Sequence, residues 1–212
     1  MDEYSIRLTC LSASKGLYVC IFQRSNMWTD SLIPVVWYCT PIEKGHIVSL
    51  HWKKHYSVYC CREETNEQQD IFSKDVITLD ADPTHSQNNT FTLSYSSEIY
   101  HLDTPELKKE VDDKTIFLTT DTSIPPGRKV YAGFCVSGNP VCMLQVSPNI
   151  PYQFNTELQY GILAGTFEQG TPLNNSDIER SYSFTLSKDI PSKAFILREN
   201  NTWEEGCQEL NF

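Results

Sequence analysis

Long apolar runs are missing from this chain. No stretch approaches the roughly 20 consecutive apolar residues that a membrane helix requires, so a helical membrane protein is not expected. The opening residues, MDEYSIRLTC, alternate and carry charge, which fits a first strand and not a secretory leader. A basic patch is missing too: Lys53-Lys54 and Lys108-Lys109 are isolated pairs in a chain whose formal net charge is −10. That balance argues against nucleic acid or an anionic membrane as partner. No two cysteines form a C-x-x-C pair, so no zinc-finger spacing is complete. The nucleophile elbow G-x-S-x-G, the Walker loop and G-x-G-x-x-G are all lacking, and no catalytic role is expected. No cofactor, metal or small-molecule substrate is expected either. Repeats, low-complexity runs and linkers are also lacking, so the 212 residues read as a single domain, 1–212.

What is present is aromatic, alternating and rich in sulfur. Eleven Tyr, 10 Phe and 4 Trp, with frequent Val, Ile and Thr, favour strands. Alternation marks strands around Ile6–Cys10, Leu17–Gln23, Pro34–Cys39, Asp75–Asp80, Phe91–Ile99 and Ile116–Thr119. Lys129–Val136 and Val141–Val146 flank Ser137-Gly138-Asn139-Pro140, a strong hairpin signal. Leu158–Phe167, Ser181–Ser187 and Ala194–Arg198 complete about ten strands, short and regularly spaced. The expected fold is all-β, an antiparallel β-sandwich. The one helix expected is Thr104–Asp113, with Thr104 as N-cap and Pro105 at the first position.

The longest alternating segment, His46–Cys61, ends in two adjacent cysteines. At period two, Val48, Leu50, Trp52, Tyr56, Val58 and Cys60 share one face, and Cys61 belongs to the other. Cys60 is therefore expected in the core and Cys61 facing outward. Neighbouring cysteines rarely bridge each other, so an outward Cys61 could reach a second molecule. Cys207, in the polar tail NNTWEEGCQEL, is the other strong candidate for such a bond, with Cys39 and Cys20 next. Cys10, Cys60 and Cys135 are expected to be buried, and Cys142 is ambiguous. His51 and His55 would clasp a metal on a helix, but on a strand they lie about 13 Å apart, so a solvated face is the better reading. The aromatics could build a sugar platform, although Trp28, Trp37, Trp52 and Trp203 are scattered and most suit a core. Three sequons, at Asn88, Asn174 and Asn200, fall in loops and read as chance features.

The sequence pI is near 4.9. In a compartment near pH 5 to 6 the five His gain charge, some carboxylates lose theirs, and repulsion between copies fades. Near zero net charge, association is favoured.

The stretch Gly127–Leu173, with Val35-Val36-Trp37 and Trp52, resembles a bacterial group of small all-β proteins related to RhiA. The residues that carry the likeness are Gly133, Ser137, Gly138, Pro148, Asn149, Phe154, Tyr160, Gly161, Gly165 and Gly170. They specify a backbone and carry no catalytic chemistry. The cysteine content departs from the bacterial pattern and resembles a fungal, crystal-forming member of the group. That resemblance implies ordered self-assembly in a vacuole, disulfides between molecules, and dense crystals that serve gravity sensing. The partner it implies is the chain itself. The alternative class is a soluble carbohydrate- or partner-binding β-sandwich.

Overall fold

The computed structural model describes residues 3–25, 31–62, 76–85, 88–105 and 114–206. The helix expected at Thr104–Asp113 falls mainly outside them, as do Trp28 and Cys207.

The first strands are β1 (Glu3–Cys10), β2 (Leu17–Arg24), β3 (Ile33–Pro34), β4 (Val36–Ile42), β5 (Ile47–Lys53) and β6 (Tyr56–Arg62). Next come β7 (Ile77–Ala81), β8 (Thr90–Ser96), β9 (Ile99–Asp103), β10 (Thr115–Thr120), β11 (Val130–Val136) and β12 (Asn139–Pro140). The last are β13 (Cys142–Gln145), β14 (Pro151–Asn155), β15 (Gln159–Gly165), β16 (Tyr182–Phe184), β17 (Ser192–Leu197) and β18 (Trp203–Glu205). One short helix, α1 (Asn175–Glu179), precedes β16. The fold is thus nearly all-β and sandwich-like. No described helix is long and apolar enough to cross a membrane.

Among the described residues four sheets form, ordered β18-β17-β1-β5, β14-β10-β8-β9, β3-β13-β11-β6-β7 with β12 on β11, and β16-β15-β2-β4. Pairing is antiparallel except for β1 with β17 and β8 with β10. The sheets meet over one hydrophobic cluster that runs from Tyr4 to Leu197. Aromatic rings stitch the first sheet to the last. Trp52 on β5 packs edge-on against Trp37 on β4 with centroids 5.2 Å apart, and Tyr160 on β15 lies 5.6 Å from Trp52. Phe184 and Phe195 continue the contact at 4.7 Å. Such pairs are worth about 0.5–1.5 kcal/mol each beyond their burial. The expectation that most Trp are core holds for Trp37 and Trp52, whereas Trp203 is half-buried.

The anticipated hairpin is present. Ser137 and Gly138 both adopt positive φ, 52° and 81°, the geometry of a two-residue turn that matches strand twist. Val136 then pairs with Asn139. The segment read as one strand from Phe91 to Ile99 is instead a second hairpin, turning at Ser97 and Glu98 with φ of 51° and 67°. No glycine announces it.

The glycines of the RhiA-like stretch mark close approaches. A Cβ on Gly133 would run into the backbone carbonyl of Cys142, with Tyr59 Cε1 at 2.9 Å. A Cβ on Gly161 would strike the ring of Phe22.

Candidate functional site

The long alternating segment does not run straight through. It breaks at Lys54-His55 into β5, which pairs with β1, and β6, which lies between β11 and β7. On β5 the expected alternation holds: Leu50 and Trp52 are buried while Ile47, Ser49, His51 and Lys53 are exposed. On β6 it fails, because Ser57 to Cys61 are buried without interruption. An inner strand covered on both faces has no wet side.

This corrects the orientation expected for Cys61. It does point away from Cys60, but it is only 2% exposed and packs with Tyr59, Cys135 and Tyr131. Burial pushes the Cys61 thiol up to about 12, with the neighbouring Cys60 and Cys135 adding to it. Such a sulfur neither ionises readily nor reaches a second molecule from the folded state. Cys60 and Cys135 are buried as expected, and burial pushes each of them to about 12. Cys10 and the ambiguous Cys142 are buried as well.

Cys20 also departs from its role as a displayed thiol. Both faces of β2 are covered, Val19 and Ile21 by the main core and Cys20 and Phe22 by a second cluster. That second cluster contains Val36, Leu163 and Leu173, with Phe167 and Ile178 packed against it. Its roof is the chain between β15 and α1, pinned by backbone bonds from Val36 N–H to the Thr171 carbonyl and from Gly170 N–H to the Val36 carbonyl. Helix α1 is held by a capping box: the Asp177 amide donates to Asn174 Oδ1 at 3.0 Å, and the Asn174 amide donates to Asp177 Oδ2 at 3.2 Å.

Cys39 is the one described cysteine that is not sealed. It sits half-buried on β4, which ends its sheet, directly opposite Cys20 on β2, and the two sulfurs are 2.8 Å apart. Two of the four candidate thiols are therefore brought together inside one chain. A succession of two strands favours an antiparallel neighbour, yet β4 follows β2 after a gap that includes β3, and only their register pairs position 20 with position 39. Cys207 lies outside the described residues.

Two other surfaces could meet a partner. Among the described residues, β3, β5 and β9 each end a sheet, and each carries an exposed isoleucine: Ile33, Ile47 and Ile99, the last 57% exposed. On β5 and β9 such an edge can offer backbone groups together with apolar side chains to another chain, whereas on the two-residue β3 the Pro34 carbonyl already accepts from Leu173 N–H at 2.9 Å. Separately, a cleft of about 540 Å³ opens beside Trp37, Trp52, His51, His55 and Asn139. Both indoles are buried, and Trp37 Nε1 donates to the Val136 carbonyl at 2.9 Å. The two histidines occupy different settings, with His51 on β5 and His55 in the following turn, where its Nε2 lies 3.8 Å from Asp80 Oδ1.

A family model described as RhiA matches residues 2–205. No curated protein and no solved structure matches the chain.

Proposed function

Because the chain belongs to the RhiA family, whose shared residues here specify backbone and no chemistry, we propose that it is a structural protein that packs against copies of itself. The single observation that carries this reading is the exposed isoleucine on each of three sheet-ending strands, Ile33, Ile47 and Ile99. At neutral pH a net charge of −10 keeps such edges apart. Near the pI of about 4.9 that repulsion fades, and short apolar contacts suffice to order the copies.

The cysteine content resembles that of OCTIN, a fungal member of the group that forms large vacuolar crystals used in gravity sensing. By that likeness the chain would assemble in an acidic vacuole as dense particles that sediment through cytoplasm. Cross-links between molecules would then draw on Cys207, since Cys61 and Cys20 are buried and Cys39 faces Cys20 within one chain. The test is dialysis of purified protein from neutral pH to about pH 5, followed by electron microscopy of the pellet. Ordered lattice fringes are expected. Protein that stays dispersed at acid pH and high concentration would remove the proposal.

The cleft beside Trp37 and Trp52 favours one other reading, a soluble carbohydrate- or partner-binding protein. A glycan array separates the two, because a lattice protein shows no saturable sugar binding.

A further inference from the structure

Cys20 and Cys39 are directly opposed across adjacent antiparallel strands. Residues so placed have Cα atoms about 4.5 or 5.5 Å apart, and both spacings lie inside the range a disulfide spans. Their sulfurs, at 2.8 Å, are already in contact. No change of register is required to join them.

The two thiols differ in access and in acidity. Cys20 is fully buried beneath Phe22, Leu163 and Leu173. Cys39 is half-buried, and its S–H donates to the Phe167 carbonyl at 3.1 Å in the neutral pair. The hydrogen bond from Cys20 holds the Cys39 thiol below its ordinary value, against the opposing effects of burial and of Glu168. That same bond, with burial adding to it, pushes Cys20 up. Cys39 is thus the thiol that ionises first and the one on a partly exposed residue, and Cys20 lies buried behind it.

We propose that Cys20 and Cys39 are an oxidation site that forms a reversible intrachain disulfide with low-molecular-weight disulfides of the glutathione type. The Cys39 thiolate attacks one sulfur of the oxidant, forming a mixed disulfide and expelling one thiolate. Cys20 then gives up its proton and attacks the Cys39 sulfur, expelling the second thiolate. The protein has lost two electrons and two protons, and one small disulfide has become two thiols. An excess of the small thiol reverses both steps. The reaction needs one chain only and holds whether or not copies assemble. Its consequence is specific, since oxidation withdraws the one described thiol that is not sealed.

The test uses the full chain, incubated with glutathione disulfide, blocked with N-ethylmaleimide, digested without reduction and mapped by mass spectrometry. The expected product is a peptide joining Cys20 to Cys39 in a protein that runs as a monomer, with its free-thiol titre falling from eight to six. Cys20→Ser is expected to leave Cys39 as a lasting mixed disulfide with glutathione, because the resolving sulfur is gone. If that variant does not fold, the wild-type map still decides. Finding Cys39 unmodified, stalled as a glutathione adduct in the wild type, or joined to another chain would overturn the proposal.

Discussion

Replacing Gly133 by alanine sets a gain against two losses. In a strand interior alanine is ordinarily the better residue by roughly 0.5–1 kcal/mol, through the entropy of the unfolded chain. At Gly133, however, the added methyl runs into the Cys142 carbonyl and lies 2.9 Å from a ring carbon of Tyr59. Overpacking of this kind costs about 1–3 kcal/mol. The carbonyl is also the acceptor for the Tyr59 hydroxyl at 2.8 Å in a fully buried position, and moving it leaves a donor unsatisfied for about 1–3 kcal/mol more. Central values leave a net loss of about 3 kcal/mol. For a chain of this size that lowers Tm by about 6–12 °C. Thermal melts followed by far-UV circular dichroism read it directly. Tyr59→Phe removes that donor, so the double variant should cost about 2 kcal/mol less than the sum of the two singles. A Gly133→Ala protein that melts with the wild type, or strictly additive variants, would refute this reasoning.

Oxidising the Cys20–Cys39 pair closes a loop of nineteen positions. The chain-entropy model assigns such a loop about 3 kcal/mol, so the oxidised protein should unfold at about 1 M higher urea than the Cys20→Ser/Cys39→Ser variant, monitored by Trp fluorescence. Alkylation by iodoacetamide should follow a pH profile in which Cys39 reacts at a lower pH than any buried cysteine, because its thiolate persists as pH falls. Cys60, Cys61 and Cys135, pushed to about 12 by burial, should stay unlabelled until the chain unfolds. Ile99→Lys adds charge to an edge strand and should raise the protein concentration needed for assembly at about pH 5 by roughly tenfold or more, with stability changed by less than about 0.5 kcal/mol. Turbidity paired with a thermal melt checks both halves.

The strands were legible wherever one face is wet. On β5, Leu50 and Trp52 alternate with His51 and Lys53, and period two identifies the inward side. On β6 and β2 that logic fails, because both faces are covered and alternation no longer separates inside from outside. Period two therefore misplaces Cys61, and it offers no guide to Cys20. The turn at Ser137-Gly138 announces itself through glycine, whereas Ser97-Glu98 reaches the same backbone region without one. The facing of Cys20 and Cys39 depends on the register of β2 against β4, including a shift between Ile21 and Phe22, which no local pattern reveals. The exposed isoleucines likewise acquire meaning only once strand order shows which strands lie at an edge.

Sedimentation velocity of the purified chain, stepped from neutral pH to about pH 5 with a thiol reductant present, measures whether copies associate as their charge is neutralised. Rapidly sedimenting species should grow in as the net charge of −10 is lost, and should dissolve on return to neutral pH. A single monomeric boundary at every pH would contradict the proposal that this acidic, edge-exposed fold assembles with itself.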